Sequence, residues 1–132
     1  VVGVFFQAVM EQRPMVLHGD GEQTRCFTHI DDVVEGFYLA GHLDVGVDGT
    51  SLKGESFNLG STEETSVRAL AEAVNRTVGT LAVDGVFGEG YHGDSNRRVP
   101  DIAASQTKLG WTATTLLDEG LAIMWRRFQT GP

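Results

Sequence analysis

A glycine-rich turn between two short apolar runs, followed at once by a helix, constrains the fold more than any other stretch. Met15 to His18 is short and largely apolar, as in a strand, and Gly19-Asp20-Gly21 follows it. The chain is expected to turn there, because glycine adopts positive φ at little cost. Residues 25–30 then alternate with period two, which predicts a second strand. The stretch therefore predicts a strand–turn–strand unit that leads into a helix.

An acidic pair, Asp31-Asp32, is expected to begin that helix. Either carboxylate can accept hydrogen bonds from the unpaired N–H groups of a first helical turn. Capping explains the pair more simply than the two alternatives, general acid/base chemistry and a divalent cation. The helix is predicted to bury one face, formed by Val33, Val34, Phe37, Tyr38 and Leu39.

The rest of the chain shows mainly helical periodicity. Ser66 and Asp101 are typical N-cap residues for two further helices. Helices are predicted near residues 3–12, 66–79, 102–109 and 116–128, and short strands near 55–60 and 81–87. With 132 residues and no internal linker, the chain is expected to form a single domain, residues 1–132. Its class is α/β, or α+β in isolation, rich in helix with a few short strands.

Composition excludes several classes of function. The formal net charge of −8 argues against nucleic acid as a partner, since phosphate backbones require a basic face. No apolar run approaches the ~18 residues of a membrane-spanning helix. The single cysteine, Cys26, cannot form an intramolecular disulfide, which fits a cytoplasmic location. The four histidines show no metal-ligand spacing, so no metal site is predicted.

The start of the chain suggests that it belongs to a longer polypeptide. Val1-Val2-Gly3-Val4 has neither an initiator methionine nor the charged region of a signal peptide. A helical pattern is already under way at Val4, and no capping residue precedes it. We therefore expect a piece cut from, or evolved from, a longer chain.

Several separated motifs together resemble one family. The first is Gly19-Asp20-Gly21-x-Gln23-x-Arg25-x-Phe27-x-x-Ile30-x-Asp32. The others follow in order: Phe57-Asn58-Leu59-Gly60-Ser61, Arg97-Arg98-Val99-Pro100-Asp101-Ile102, Leu109-Gly110-Trp111 and Leu117-x-Glu119-Gly120-Leu121. Their order and spacing resemble the C-terminal, substrate-binding portion of the extended short-chain dehydrogenases. These are the NAD-dependent nucleotide-sugar epimerases, dehydratases and decarboxylases.

The resemblance implies a role for four residues of this chain. Arg25 matches a family arginine that lies against the nucleotide part of the substrate, and Arg98 matches a second arginine of the same pocket. Asn58 stands where a side chain contacts the nucleotide in some members. Val16 begins a strand whose backbone flanks the base. The ligand implied is a nucleotide-diphosphate sugar of the UDP or dTDP type.

Two motifs of the whole enzymes do not occur in this sequence. There is no Gly-x-x-Gly-x-x-Gly after a strand, and no Tyr-x-x-x-Lys, because His42 stands four residues after Tyr38 and Ser95 four residues after Tyr91. In the family, the N-terminal Rossmann domain carries both motifs and binds NAD. We therefore expect no complete Rossmann sheet, no catalytic residue and no cofactor-binding residue in this chain.

Alternatives stand beside this interpretation. Position alone would allow Arg25 to form a surface ion pair with Glu22 or Asp20. For function, the alternative to a substrate-binding part of an enzyme is a non-enzymatic binding or scaffold module, which would be expected to self-associate. A third alternative is a subunit that completes a separately encoded Rossmann half.

Overall fold

The computed structural model describes residues 1–79, 86–90 and 92–130. Helices predominate, as the sequence predicts. They are α1 (Val2–Met10), α2 (Ile30–His42), α3 (Val67–Val78), α4 (Leu117–Thr130) and a π-helical segment, Ser105–Leu109. The strands have three residues each: β1 (Val16–His18), β2 (Thr24–Cys26), β3 (Glu64–Ser66) and β4 (Val86–Gly88). In the part described, no helix is long and apolar enough to cross a membrane.

The chain folds into two compact units, each built from separate segments. The first comprises Val1–Arg25, Thr65–Arg98 and Asp118–Pro132, and the second comprises Cys26–Glu64 and Val99–Leu117. The expectation of a single substrate-binding domain over residues 1–132 stays a prediction.

Helix α1 anchors the core of the first unit. Its buried residues, Phe5, Phe6, Ala8 and Val9, lie three to four positions apart, so they share one face of the helix. That face packs against α3, and the ring of Phe6 also meets an aromatic residue of α4, with 5.1 Å between the ring centroids of Phe6 and Trp125. The helix predicted at residues 3–12 is therefore confirmed.

Strands β1 and β4 form a parallel pair in the first unit. Val16 is paired with Val86 and His18 with Gly88, and Leu17 between them is buried. The strand predicted at residues 15–18 is confirmed. The strand predicted at 81–87 is confirmed only in its last two residues, because residues 80–85 lie outside the described ranges.

The second predicted strand is shorter than its sequence pattern indicates. β2 ends at Cys26, and it pairs with β3 in a two-stranded sheet. β3 is not among the predicted strands, because its pairing is not visible in local periodicity. Ser66 is the N-cap of α3. Its hydroxyl oxygen accepts a hydrogen bond from the Ala69 N–H at 3.1 Å, which confirms the predicted cap.

The strand prediction for residues 55–60 is wrong. No strand is formed by this segment in the part that the structure describes. The backbone carbonyl of Asn58 instead accepts a hydrogen bond from the Ser105 hydroxyl at 3.0 Å. Apolar periodicity predicted a strand here, but a strand requires a neighbouring strand to pair with.

Helix α2 begins at Ile30, and its N-cap is His29 rather than either aspartate. The imidazole Nδ1 of His29 accepts a hydrogen bond from the Asp31 N–H at 3.3 Å. The expectation that Asp31 or Asp32 caps the helix is therefore wrong. Both lie in the first turn, where a negative charge is still favoured by the helix dipole.

The predicted buried face of α2 is also largely wrong. Val34, Phe37 and Tyr38 are 56%, 67% and 60% exposed, whereas the buried residues of the helix are Asp32 and Gly36. Other residues of α2 do meet the core of the second unit. That core comprises Leu52, Leu109 and Trp111, with Leu39, Ala40, Leu43, Phe57, Leu59 and Ala113 packed against it.

The helix predicted at residues 102–109 is present, with a wider turn than expected. The Asp101 carboxylate accepts a hydrogen bond from the Ala103 N–H at 3.0 Å, so the predicted cap is confirmed. Residues Ser105–Leu109 form the π-helical segment, and the chain leaves it at Gly110 with φ of 65°. A positive φ there explains the glycine.

Candidate functional site

Arg25 lies in β2 with its guanidinium held at two points. Nη1 donates to the carbonyl of Thr24 at 2.7 Å, and Nη2 donates to Oδ1 of Asp94, also at 2.7 Å. The Arg25 side chain is only 23% exposed. A guanidinium has five N–H donors. Two of these donors are accounted for by the contacts above.

The ion-pair partner of Arg25 differs from the two that position in the sequence suggested. Neither Glu22 nor Asp20 pairs with it. The Glu22 carboxylate binds Nε of Arg68 at 2.7 Å, and the Asp20 carboxylate accepts the Glu22 N–H within its own turn at 2.9 Å. Arg25 and Asp94 are 69 positions apart, so no local pattern signals their contact.

A parallel bridge brings the segment that contains Arg98 beside β2. Thr24 is bridged to Arg97, and the Thr24 N–H donates to the Asn96 carbonyl at 2.8 Å. Arg25 follows Thr24 in the sequence, and Arg98 follows Arg97. Arg25 and Arg98 therefore occupy corresponding positions on two neighbouring segments, and in a regular parallel pair the side chains at such positions project to the same side. Arg98 is exposed, and its contact with a ligand stays a prediction.

Val16, the third predicted site residue, is the first residue of β1. It is 45% exposed and paired with Val86, which is also 45% exposed. Paired residues of parallel strands project to one side, so these two valines form a small exposed apolar surface. Such a surface suits the flat face of a nucleotide base.

Asn58, the fourth predicted residue, belongs to the second unit. Its side-chain amide donates to the carbonyl of Asp101 at 2.9 Å. This bond joins the Asn58 segment to the start of the π-helical region. Its contact with a ligand stays a prediction.

Asp32 was predicted as a possible helix cap, but its carboxylate has a different role in the structure. It is 5% exposed, and its carboxylate accepts hydrogen bonds from the Thr114 hydroxyl at 3.2 Å and the Thr115 N–H at 3.0 Å. Burial raises the pKa of Asp32, but the hydrogen bonds from Thr115 and Thr114 together outweigh it and hold the pKa below its ordinary value. Asp32 therefore stays ionised, in a structural role.

Among the residues with described positions, no group of three or more His, Cys, Asp or Glu side chains is placed to hold a metal ion. A dinucleotide is bound in such folds where a strand leads through a glycine-rich turn into a helix. β3 runs directly into α3 without a glycine, and the Ser66 hydroxyl occupies the Ala69 N–H that a pyrophosphate would use. This junction therefore does not fit NAD.

The sequence profile of the family described as GDP-mannose 4,6 dehydratase matches residues 2–124. The chain belongs to this family. The match extends over the two arginine segments, the Asn58 segment and most of α4. It confirms the resemblance drawn from the separated motifs.

Two curated relatives illustrate the range of activities in the family. UDP-glucuronic acid decarboxylase 4 of Arabidopsis thaliana is 31% identical over 132 residues, which cover 98% of this chain and 27% of that protein. UDP-glucose 4-epimerase of Mycolicibacterium smegmatis is 34% identical over 122 residues, which cover 92% of this chain and 36% of that protein. The chain thus spans about a third or less of the length of these relatives.

Solved structures of family members share the fold. The UDP-glucose 4-epimerase of Thermotoga maritima, solved with UDP-glucose, matches with a TM-score of 0.85 at 27% identity, over 98% of this chain and 39% of that one. The UDP-glucuronic acid 4-epimerase of Bacillus cereus, in complex with UDP-glucuronic acid and NAD, matches with a TM-score of 0.85 at 26% identity and with the same coverage. The fold is that of the C-terminal part of the extended short-chain dehydrogenases, as predicted.

Proposed function

We propose that this chain is the nucleotide-diphosphate-sugar-binding part of an NAD-dependent sugar epimerase, dehydratase or decarboxylase, and that it does not catalyse the reaction alone. The observation that carries this is the bridge between Thr24 and Arg97, which sets Arg25 and Arg98 at corresponding positions of adjacent segments. Two guanidinium groups on one side match the two charged phosphates of the ligand.

Local charge decides the ligand class, because the chain as a whole is acidic. A formal net charge of −8 repels a long polyanion, whereas a diphosphate requires only a few well-placed N–H donors. Arg25 offers such donors from a half-buried position, where charge-assisted hydrogen bonds are stronger than in bulk water.

In this proposal, the base lies against the apolar surface of Val16 and Val86. The nucleotide is of the UDP or dTDP type. The curated relatives and solved structures reported above carry UDP sugars in their names, which supports UDP as the first choice. NAD is assigned to the rest of the whole enzyme, since the β3–α3 junction does not fit it.

The experiment is a binding titration with UDP, dTDP, UDP-glucose, UDP-glucuronic acid and NAD, followed by isothermal calorimetry and thermal shift. We expect binding of a nucleoside diphosphate, weakened about 10- to 100-fold by Arg25→Ala, since a hydrogen bond to a charged group contributes about 1.5–3 kcal/mol. Arg98→Ala should also weaken the binding of the nucleoside diphosphate. Arg76→Ala removes a surface arginine paired with Asp118 and serves as the control, with unchanged affinity expected.

Three outcomes would contradict the proposal. They are stabilisation by NAD alone, equal losses in Arg25→Ala and Arg76→Ala, and no binding of any nucleoside diphosphate. The role of Asn58 is tested separately by Asn58→Ala, which should weaken UDP binding if its side chain contacts the nucleotide. A cytoplasmic location is part of the same proposal, and fractionation of the native cells tests it.

A second candidate function is a self-associating scaffold module, and the exposed face of α2 favours it. Ile30, Val34 and Phe37 lie at helical spacing and are each more than half exposed. Self-association through this face predicts a dimer in analytical ultracentrifugation that Phe37→Asp dissociates. Val4→Asp, on the exposed side of α1, is the matched control and should leave the dimer intact. A monomer at all concentrations would exclude this function.

A further inference from the structure

Asp94 contacts the arginine on which the proposed ligand site depends, and its effect on that arginine can be either of two opposite kinds. A carboxylate beside a guanidinium weakens the attraction of the guanidinium for a diphosphate, because it offsets the positive charge. The same carboxylate also holds the guanidinium in one orientation, which reduces the entropy that a ligand must remove. The contacts around Asp94 indicate which effect dominates.

The position of Asp94 is set by backbone hydrogen bonds. Gly93, with φ of 82°, turns the chain immediately before it. Two residues later, the Asn96 carbonyl accepts the Thr24 N–H at 2.8 Å, and Arg97 is bridged to Thr24. The segment that carries the carboxylate is thus attached to the residue preceding Arg25. This attachment keeps the backbone of Asp94 near that of Arg25, within reach of the ion pair.

Arg25 is oriented from both of its terminal nitrogens. The Thr24 carbonyl binds Nη1 and Asp94 binds Nη2, each at 2.7 Å. Two contacts at different nitrogens fix both the position and the plane of the group, whereas one contact would let it rotate. Long side chains such as arginine otherwise lose about 0.5–1.5 kcal/mol of conformational freedom when a ligand immobilises them.

We propose that Asp94 is a positioning residue for Arg25, whose orienting contact outweighs its charge. This inference rests on the proposed function and assigns Asp94 a role in the same site. Asp94→Ala should then weaken the binding of UDP about three- to tenfold, even though it removes a negative charge. An effect of charge alone requires the opposite, tighter binding.

The test compares UDP with uridine in NMR titrations of the wild-type chain, Asp94→Ala, Asp94→Asn and Asp118→Ala. We expect Asp94→Ala to weaken UDP binding and leave uridine binding unchanged, because only UDP carries the diphosphate. Asp94→Asn retains an acceptor oxygen for Nη2 and should bind UDP within about twofold of the wild type. Asp118→Ala removes the carboxylate of another arginine pair and should change neither affinity.

A double variant separates positioning from independent binding. If Asp94 acts through Arg25, the double variant Arg25→Ala with Asp94→Ala binds UDP no more weakly than Arg25→Ala alone. Tighter UDP binding in Asp94→Ala would overturn the proposal. Additive losses would also overturn it, as would an equal loss for uridine, because each would mean that Asp94 acts on the ligand directly.

A ligand-independent readout keeps this inference distinct from the proposed function. ¹⁵N relaxation of the Arg25 side chain should show an ordered Nε–H in the wild type and a mobile one in Asp94→Ala, with circular dichroism confirming that the variant is folded. If the wild type binds no UDP, the proposed function fails and the relaxation data alone decide the positioning role. If Arg25 is equally ordered in both, the positioning role fails whatever the affinities.

Discussion

The indole N–H of Trp111 donates to the backbone carbonyl of Asp32 at 2.9 Å, across 79 residues of sequence. Trp111 is 2% exposed and belongs to the core of the second unit. The side chain of the same aspartate is bound by Thr114 and Thr115. The first turn of α2 is thus attached to residues 111–115 by both its backbone and a carboxylate, within one unit.

Removing the carboxylate should destabilise this unit. Asp32→Ala is expected to lower the free energy of unfolding by about 2–3 kcal/mol, because it deletes two hydrogen bonds to a charged group. Asp31→Ala is the matched control, since Asp31 is exposed, and its effect should stay below about 0.5 kcal/mol. Urea unfolding followed by circular dichroism measures both, and equal effects would contradict the structural role of Asp32.

The lowered pKa of Asp32 predicts a specific dependence on pH. Its pKa in the folded chain lies below the value of about 3.9 in an unfolded chain, so the unfolded state binds more protons in acid. The stabilisation is therefore fully present above about pH 5 and is lost as the pH falls through the lowered pKa. Between pH 7 and pH 3, the free energy of unfolding should fall less steeply for Asp32→Asn than for the wild type. Parallel curves would contradict this prediction.

The contribution of the indole hydrogen bond to stability can be tested without leaving a large cavity in the core. Trp111→Phe keeps an aromatic ring but leaves the Asp32 carbonyl without the indole donor, which should cost about 1–3 kcal/mol. Trp125→Phe is a suitable control, because Trp125 contributes its ring to a contact with Phe6, and phenylalanine keeps an aromatic ring there. Thermal unfolding should show a larger decrease in Tm for Trp111→Phe than for Trp125→Phe.

Two glycines of α2 should respond in opposite directions to alanine. A methyl group at Gly36 would lie 2.7 Å from Cδ2 of Leu59, too close without displacement of that side chain, so Gly36→Ala should cost about 1–3 kcal/mol. Gly41 has no atom within 4 Å of such a methyl group, so Gly41→Ala should stabilise the helix by up to about 1 kcal/mol. Chemical denaturation of the two variants gives the comparison. Stabilisation by both would show that Leu59 yields without cost.

Arg68 holds the turn before β2, and lysine should not replace it. Its Nε binds Glu22 at 2.7 Å, its Nη2 donates to the Asp20 carbonyl at 2.9 Å, and its guanidinium carbon lies 5.0 Å from the ring centroid of Phe87. Arg68→Lys keeps the charge but loses the forked geometry and the stacking, for a loss of about 1 kcal/mol. Arg76→Lys, at a single 3.4 Å contact, should change stability by less than about 0.5 kcal/mol. Equal effects in unfolding experiments would contradict the role of the fork.

Local signals in the sequence predicted the helices well. α1 and α3 carry apolar residues at helical spacing, and Ser66 and Gly79 mark the ends of α3 with a side-chain cap and a left-handed residue. These features involve neighbours within a few positions, so a single sequence contains them. The same holds for the turn at Gly19 and Gly21, where φ is positive at both glycines.

Features that depend on distant partners were predicted poorly. β3 is a strand only because β2 lies beside it, and residues 55–60 are not one despite an apolar pattern. The apolar residues Val34 and Phe37 suggested burial, but the core is reached from other positions of α2. Arg25 was selected through the family resemblance, whereas its contact with Asp94 required the parallel bridge at Thr24, which no local pattern shows.

The interleaved order of the segments has a consequence for synthesis on the ribosome. Phe6 is fully buried, and its ring contacts Trp125 and Phe128, which the ribosome adds long after Phe6. α1 therefore emerges with an apolar surface whose aromatic partners do not yet exist, while the segments of the second unit are being made. Release of the nascent chain before α4 would leave Phe6 without these two rings, and exposed apolar surface of this kind promotes aggregation of incomplete chains.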